Sequence, residues 1–589
     1  MVSIISSFED AIKEHTIANA NNEEFRDCYH KCADKSRITR LHETRNHLVI
    51  FGRRGTGKTS LLKSFHYYIN DIYKPKKDKD PFLRSLFIDM NDVVPNDEEL
   101  QGNIRDALAI ETYRAIMAQI SGQLFDIFSI LENTHQFWHF NYTSKQLSQL
   151  EELLIRFSDE IFFGTKRLVE KRGSDQTEAK ESDEKKRGIE ASVRSDKDSI
   201  NFSSLVNLMK TRSFQKNKST MITASYDYIV DVKKIRDLLY RIIDAMKIDC
   251  LYVCIDEFTL VDRGREFTVQ PNIAQFIKDT LFRNSKIQVR ISSLWNKSRM
   301  QTRQVAGARI GLEVGEDIQR GIDLDTMFFQ REGDAVVFFK NMLANICSFG
   351  SKHKMRASQP VDLGDFIIDS LFKDKSVFVE LICGSHGIPR VFGRLLLSCI
   401  ENRRRRGEEH ITTTNVFECI VQDYTQNGRK KSPNDLGIVK LFDAHVHEKK
   451  ERIILISSED YEKAKIYIEG MVDNNAIHQY PSEAVPRALR NQYKMYLVQL
   501  GSYLEVLKES GYALFRNDKL NIDSALFPQI PEGISGMLDK FLLKIPDSVI
   551  TEVYCECCQK KYMRDKLIRS ENTLICPDPE CNTVLLHMH

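Results

Sequence analysis

The sequence lacks a net charge of either sign. Its 589 residues include 85 lysine and arginine residues against 83 aspartate and glutamate residues, which leaves a formal charge of +2. A protein that binds nucleic acid over its whole surface carries a clear basic excess. The balance excludes that class and requires any contact with nucleic acid to come from a local patch.

Long apolar runs are also missing. No stretch of about 18 uncharged apolar residues is present, whereas a membrane-spanning helix needs about 20. The N-terminal segment carries Glu9, Asp10 and Glu14 where a signal peptide has basic and apolar regions. We therefore expect no membrane association and a soluble, cytoplasmic protein.

The cysteines do not form a disulfide framework. Five of the 13 lie within the last 35 residues, and the others are scattered singly or inside apolar segments. That distribution is typical of a reducing compartment with one local metal site.

The composition is that of a folded globular protein, with 42% hydrophobic and 29% charged residues, and the length predicts about three or four domains. Short apolar strands alternate with helical stretches in the first half, which predicts an α/β fold with a parallel sheet. The second half looks mainly helical and then ends in a hairpin, which suggests a winged helix. The predicted units are an N-terminal helical segment (1–40), an α/β core (41–330), a mainly helical region (331–430), a winged-helix-like domain (431–545) and a C-terminal segment rich in cysteine (546–589). Within the core, residues 166–199 form a charged insertion that is predicted to be disordered or loosely helical.

A glycine-rich loop follows the first predicted strand, residues 48–51. Residues 52–59 read GRRGTGKT, which fits the phosphate-binding pattern G-x-x-x-x-G-K-[ST] between a strand and a helix. Glycines let the backbone N–H groups face phosphates, and the positive end of the helix dipole supports them. Lys58 is expected on the β- and γ-phosphates and the Thr59 hydroxyl on Mg²⁺. The predicted nucleotide contacts of the loop are Gly52, Arg53, Arg54, Gly55, Thr56, Gly57, Lys58, Thr59 and Ser60.

Two adjacent carboxylates end a second apolar strand, residues 250–255. Asp256 is expected to act through Mg²⁺ and Glu257 to polarise the attacking water, since nucleotide hydrolysis needs both functions. The strand at 286–293 ends in polar residues, and Ser293 or Asn296 is predicted to contact the γ-phosphate. Four arginines are candidates for a finger inserted into a neighbouring site: Arg283, Arg299, Arg303 and Arg309.

With the run Gly387-Ile388-Pro389-Arg390 and the apolar helix after it, these motifs resemble the AAA+-related STAND ATPases and the origin-recognition and cell-division-control initiator ATPases. The resemblance covers about residues 35–430 and implies a helical lid over bound ATP, followed by a winged helix. It further implies that Pro389 contacts the nucleotide and that Arg390 or Arg394 acts as a second sensor.

The C-terminal cysteines have the spacing of a zinc site. Cys555 and Cys558 form one pair, and Cys576 and Cys581 form a second; four thiolates satisfy tetrahedral Zn²⁺. Cys557, His587 and His589 are alternative ligands, and reduced free cysteines are the alternative to a zinc ribbon.

Two hypotheses of function follow. The first is an ATP-dependent switch that forms homo-oligomers and controls a separately encoded effector, which the resemblance places in a bacterial or archaeal phage-defence or mobile-element system. The second is a loader or initiator that grips DNA or RNA, for which the basic runs 403–406 and 429–431 are candidate phosphate contacts.

Overall fold

The structure is a computed structural model, and it describes part of the chain. The described residues are 35–73, 81–95, 104–134, 142–163, 165–168, 226–229, 231–262, 268–303, 309–325, 332–350, 363–428, 436–473, 476–480, 485–509, 515–516, 519–520, 533–546, 549, 552–554, 561–563, 567–570, 573–577 and 584–587. Among the helices of these segments, none combines the length and the apolar composition needed to cross a lipid bilayer.

The first 325 residues contain alternating strands and helices. The strands are β1 (Leu48–Phe51), β2 (Leu83–Asp89), β3 (Thr165–Leu168), β4 (Tyr226–Ile229), β5 (Cys250–Asp256), β6 (Ile287–Ser293), β7 (Gln301–Arg303), β8 (Arg309–Gly311) and β9 (Gln319–Asp323). The helices are α1 (Lys35–Glu43), α2 (Lys58–Tyr67), α3 (Ile104–Thr134), α4 (Ser144–Phe163), α5 (Val232–Ala245) and α6 (Gln270–Leu281). Shorter turns of helix lie at Tyr68–Ile72, Met90–Val93, Phe258–Asp262 and Trp295–Lys297.

Five of these strands form a parallel sheet in the order β2-β5-β6-β1-β9. The predicted α/β fold is therefore confirmed, and the strands predicted at 48–51, 250–255 and 286–293 correspond to β1, β5 and β6. All four residues of β1 and all seven of β6 are buried, as expected of parallel strands covered on both faces. The fifth strand, β9, was not predicted.

Helices cover both faces of the sheet. One face packs α1 and α2 in a cluster that includes Ile50, Phe65 and Tyr252. The opposite face packs α3, α4, α5 and α6 in a larger cluster that includes Val49 and Ile255. Because side chains alternate along a strand, neighbouring residues such as Val49 and Ile50 belong to opposite clusters. The glycine-rich loop leads from the end of β1 into α2, on the first of these faces.

Two antiparallel pairs accompany the sheet: β3 with β4, and β7 with β8. The predicted charged insertion, 166–199, lies outside the described residues except where β3 enters it, so its disorder stays a prediction.

Residues 332–509 contain the predicted lid and the module that follows it. The helices are α7 (Glu332–Gly350), α8 (Leu363–Leu371), α9 (Lys375–Gly384), α10 (Pro389–Arg406), α11 (Thr413–Asp423), α12 (Leu436–Lys449), α13 (Ser458–Asp473) and α14 (Leu500–Glu509), with shorter turns at Tyr424–Gly428 and Arg487–Arg490. One apolar cluster extends from Ala335 in α7 through the module to Leu567. The predicted boundary at 430 therefore does not separate two cores.

The prediction that the second half of the chain is mainly helical up to its hairpin was wrong in part. Three strands, β10 (Ile453–Ser457), β11 (Ile477–Gln479) and β12 (Tyr493–Val498), form an antiparallel sheet in the order β10-β12-β11. The predicted hairpin is present as the short pair β13 (Phe515–Arg516) and β14 (Lys519–Leu520). Three residues separate α13 from β11, which leaves no room there for a second, recognition helix of the helix-turn-helix type. The winged helix stays a prediction.

The C-terminal segment contains short turns at Ile534–Gly536 and Leu538–Phe541 and the strands β15 (Glu552–Tyr554), β16 (Lys561–Met563), β17 (Ile568–Ser570), β18 (Thr573–Ile575) and β19 (Val584–His587). They pair as β15-β16 and β17-β18-β19. The zinc ribbon stays a prediction. Of the four predicted zinc ligands, Cys576 is described and buried, whereas Cys555, Cys558 and Cys581 lie outside the described residues.

Candidate nucleotide site

The loop between β1 and α2 has the backbone shape that its glycines allow. Gly55 and Gly57 have φ values of 82° and 93°, in the left-handed region that favours glycine. α2 begins at Lys58, directly after Gly57. The positive end of a ten-residue helix thus adjoins the loop, which is the arrangement that binds phosphate in P-loop proteins.

Lys58 folds back over this loop. Its Nζ atom donates to the carbonyl oxygens of Gly52 at 2.9 Å and Arg53 at 3.0 Å, and the residue is 4% exposed. Burial lowers the pKa of Lys58, while nearby carboxylates, first that of Glu257, act in the opposite direction. The ammonium group therefore lies inside the loop, beside the second predicted motif.

Asp256 and Thr59 lie next to each other although they are far apart in sequence. Asp256 ends β5 and is 1% exposed. Burial raises the pKa of its carboxyl group, and hydrogen bonds from Ser292 and Thr59 partly oppose that shift. Its Oδ2 atom is buried and has no hydrogen-bond partner among the described residues. The two predicted Mg²⁺ ligands are thus together, with one buried carboxylate oxygen left for a cation.

Ser292, which the sequence analysis did not select, holds the carboxylate pair. Its hydroxyl donates to Oδ1 of Asp256 and accepts from the backbone N–H of Glu257 at 2.9 Å. Glu257 has a φ of 56°, uncommon for a residue other than glycine and frequent at functional sites. The position of Ser292 in the sequence, one residue before the end of β6, is the feature that could have identified it, because β6 lies next to β5.

The two predicted sensors on β6 are placed differently. Ser293 pairs with Phe51, the residue before the loop, and its Oγ atom is buried without a hydrogen-bond partner among the described residues. Because alternate side chains point to opposite faces, Ser292 faces α2 and Ser293 faces the other way. The backbone of Asn296 lies in the turn after β6, and its side chain lies outside what the structure describes. Both sensor roles stay predictions.

The segment 387–390 contacts the loop. Pro389 begins α10, and the backbone N–H of Arg390 donates to the carbonyl oxygen of Gly55 at 3.4 Å. A β-carbon on Gly55 would lie 2.9 Å from Cβ of Arg390. Arg394, in contrast, forms an ion pair with Asp423, with an Nε–Oδ1 distance of 2.6 Å. Of the two candidate second sensors, Arg390 is therefore the one beside the loop.

Arg53 joins three parts of the structure. Its Nε atom lies 2.7 Å from Oδ1 of Asp325, and its Nη2 donates to the carbonyl oxygen of His386 at 2.7 Å. The His386 ring is buried and accepts the backbone N–H of Leu500, at the start of α14, at 3.0 Å on Nε2. Burial lowers the pKa of His386 well below its ordinary value, so the ring is neutral. Asp325 follows the unpredicted strand β9, so no sequence signal indicated it.

The other predicted arginines have varied surroundings. Arg283 and Arg309 form ion pairs with Asp279 and Glu313. The backbone of Arg303 is paired in register with that of Arg309 in the β7-β8 pair. Arg299 donates its backbone N–H to Gln270. These contacts do not select a finger.

The basic run 403–406 ends α10. Arg403 is buried and bonded to the carbonyl oxygen of Glu409, Arg405 contacts Glu401, and Arg406 contacts Glu418. Cations at the end of a helix also complement its dipole. The run is therefore partly used inside the fold, and 429–431 lies outside the described residues.

Comparisons with known proteins add little. No family profile matches the sequence, and no curated protein matches it. Solved structures with a slight similarity to this chain include the Aeropyrum pernix ORC2 protein (10% identity, 81% of this chain and 92% of that chain, TM-score 0.32). They also include Drosophila ORC bound to DNA (9%, 83% and 93%, TM-score 0.28) and a Walker-type ATPase of Pyrococcus abyssi (12%, 81% and 96%, TM-score 0.33). Because these similarities are slight, the fold assignment rests on the sheet order and the loop, and the proposed function rests on the geometry of the site.

Proposed function

We propose that this protein binds and hydrolyses ATP. The observation that carries the proposal is the convergence of Lys58, Thr59 and Asp256 at the phosphate-binding loop, with Oδ2 of Asp256 buried and unpartnered. Mg²⁺ is commonly held by one or two protein oxygens together with substrate phosphates and water.

The residues of the site divide the steps of the proposed reaction among them. The N–H groups of the loop and the Lys58 ammonium would bind the phosphates, and Thr59 and Asp256 would hold Mg²⁺. When bound, Mg²⁺ supplies positive charge that offsets the charge developing on the transferred phosphoryl group. Glu257, the next residue after Asp256, would orient the attacking water and accept its proton.

ATP turnover and nucleotide affinity test this proposal with three variants. Lys58→Ala should lose nucleotide binding, whereas Glu257→Gln should keep binding and lose turnover by about 100-fold or more. Glu151→Gln, which removes an exposed carboxylate on α4, is the matched control and should behave as wild type. Absence of hydrolysis by the wild-type protein, or equal turnover by Glu257→Gln, would refute the assignment.

We further propose that nucleotide occupancy switches the conformation of the lid. The support is the pair of loop–lid contacts, Arg390 to Gly55 and Arg53 to the carbonyl oxygen of His386. A further hydrogen bond, from the backbone N–H of Leu500 to the His386 ring, links this segment to α14. Binding phosphate in the loop changes the surroundings of all three contacts. Hydrogen exchange of residues 385–390 with and without a non-hydrolysable ATP analogue should show a change, and identical exchange would count against the switch.

A homo-oligomer, in which an arginine of a neighbour completes the site, is part of this proposal, as is a separately encoded effector. Mass photometry with and without the ATP analogue tests assembly; a monomer under both conditions would contradict it. The role in phage defence or in a mobile element stays a prediction from the resemblance.

The loader alternative places DNA on the protein, with ATP controlling loading. The described residues favour it less, because Arg403 in the basic run 403–406 is buried and bonded inside the fold, and Arg405 and Arg406 would have to exchange their exposed glutamate partners for phosphates. Salt-sensitive binding of duplex DNA, together with stimulation of ATP turnover by that DNA, would reverse this ranking.

Zinc is a separate proposal. We infer that Cys555, Cys558, Cys576 and Cys581 hold Zn²⁺ in the C-terminal segment, which would stabilise hairpins too small to fold alone. Elemental analysis of the purified protein should find zinc, and Cys576→Ser should lose it. Retention of zinc by that variant would shift the ligand set to the alternatives.

A further inference from the structure

One buried hydroxyl group contacts both members of the acidic pair. Ser292 is 0% exposed, and its Oγ carries a single hydrogen, which is directed to Oδ1 of Asp256. The lone pairs of the same oxygen accept the backbone N–H of Glu257 at 2.9 Å. The side chain therefore fixes the carboxylate of one residue and the backbone of the next.

The sheet register explains why this residue is available. β5 and β6 are parallel neighbours, with Ile255 opposite Ile291, so the next residues along the two strands, Asp256 and Ser292, lie side by side. On the other side of β6, Ser292 pairs with Ile50 of β1. Ser292 thus lies between the strand that carries the acidic pair and the strand that leads into the loop.

The bond to Asp256 determines which carboxylate oxygen is free. Oδ1 is taken by Ser292, whereas Oδ2 is buried without a partner among the described residues. A carboxylate held by one oxygen has a fixed orientation, and hydrogen-bonded supports of this kind tune metal affinity in other sites.

The bond to Glu257 supports an uncommon backbone conformation. Glu257 has a φ of 56°, which a side chain with a β-carbon disfavours. Its N–H is held by Ser292 at 2.9 Å, and its carbonyl oxygen accepts from the N–H of Leu260 at 2.8 Å. These two bonds fix the direction in which the Glu257 side chain leaves the strand.

We propose that Ser292 is a positioning residue that orients the Asp256 carboxylate toward Mg²⁺ and the Glu257 side chain toward the attacking water. The inference rests on the proposed ATPase function and deepens it. Ser292 contacts neither nucleotide nor water in this role and acts through its two acidic neighbours.

Four variants test the role. Ser292→Ala removes both hydrogen bonds, and Ser292→Thr keeps the hydroxyl. Ser293→Ala removes the neighbouring hydroxyl on the other face of the sheet. Ser121→Ala is the matched control, because Ser121 is 1% exposed and its hydroxyl has no partner among the described residues.

We expect Ser292→Ala to lower kcat by about 10- to 100-fold and to raise the Mg²⁺ concentration needed for tight nucleotide binding by about 10-fold, the range seen when supports of metal ligands are removed. Nucleotide affinity without Mg²⁺ should change less than about 2-fold, because the loop and Lys58 are intact. Ser292→Thr should recover most of the loss, and Ser121→Ala should match wild type.

A readout without nucleotide follows from the same geometry. In the free protein, amide hydrogen exchange of the peptide containing Glu257 should accelerate in Ser292→Ala and remain unchanged in Ser293→Ala and Ser121→Ala.

The proposal is overturned if Ser292→Ala keeps the wild-type kcat and Mg²⁺ requirement, or if Ser292→Thr is as impaired as Ser292→Ala. An equal loss of affinity with and without Mg²⁺ would likewise overturn it, since that result indicates a disturbed loop. If wild type binds nucleotide but does not hydrolyse it, the proposed hydrolysis fails. Ser292 is then judged by Mg²⁺ dependence and hydrogen exchange alone.

Discussion

The buried guanidinium of Arg290 should hold the segment that precedes the phosphate loop. Arg290 lies on β6 and is 0% exposed. Its Cζ atom lies 5.2 Å from the centroid of the Tyr252 ring. It donates to the carbonyl oxygens of Leu41, Thr44 and Asn46. Those carbonyls belong to the end of α1 and to the connection into β1, so one side chain ties the N-terminal helix to the sheet.

Opposing terms determine the size of the effect of Arg290→Met. Burial lowers the pKa of Arg290 from 12.5 to about 10, which corresponds to a cost of about 3 kcal/mol for burying the charge, and methionine removes that cost. The variant loses charge-assisted hydrogen bonds to the three carbonyls and to the side chain of Gln288, each of about 1.5 kcal/mol. The loss of these hydrogen bonds exceeds the relief of the burial cost, so Arg290→Met should lower the local stability of this segment by about 3 kcal/mol.

Hydrogen exchange of residues 37–47 measures this difference directly. A loss of about 3 kcal/mol in local stability corresponds to roughly 100-fold faster exchange, limited to α1 and its connection to β1. Arg283→Met is the control, because Arg283 is 64% exposed and pairs with Asp279 at 3.4 Å; such pairs contribute little. Unchanged exchange in Arg290→Met would refute the argument that these carbonyls depend on Arg290.

Three further predictions concern the lid and the loop. Burial raises the pKa of Glu380 from 4.5 to about 7, so the folded protein keeps a proton that the unfolded chain releases. The free energy of unfolding should therefore fall as the pH rises from about 4.5 through about 7, and thermal melts of Glu380→Gln should lack that decline. Gly55→Ala places a methyl group 2.9 Å from Cβ of Arg390, at a residue whose φ is +82°. The variant should therefore bind nucleotide at least about 10-fold more weakly in a titration, and unchanged affinity would contradict the loop–lid packing. Asp325→Asn weakens the ion pair between Asp325 and Arg53, whose side chains are 11% and 8% exposed. Hydrogen exchange of residues 385–390 should accelerate in this variant, and equal exchange would show that Asp325 does not support the lid contact.

The local motifs were predictable because each depends on a short stretch of chain. The loop at 52–59 needs glycines at fixed positions between a strand and a helix, and the strand ending at Asp256 is a continuous apolar run. The cores on both faces of the sheet impose those patterns directly.

β9 escaped prediction for a physical reason. Its five residues, Gln319–Asp323, include polar and charged side chains and a glycine, because it is the edge strand of the sheet. The strands β10 and β12 were missed differently, since their apolar runs also fit a buried helix. The shared core around them was not visible in the sequence, because contacts between residues distant in the chain create it.

By itself the sequence determined the α/β class, the phosphate loop and the acidic pair, since each is encoded by neighbouring residues. Only the tertiary structure decided that Thr59 meets Asp256, that Ser292 holds both acidic residues, and that Arg53 joins Asp325 to His386. More than 30 residues of chain separate the partners in every case. Sheet register brings Ser292 beside Asp256, and the packing of the lid on the loop brings His386 to Arg53. No local pattern of residues encodes these contacts, because they follow from how the whole set of strands and helices packs.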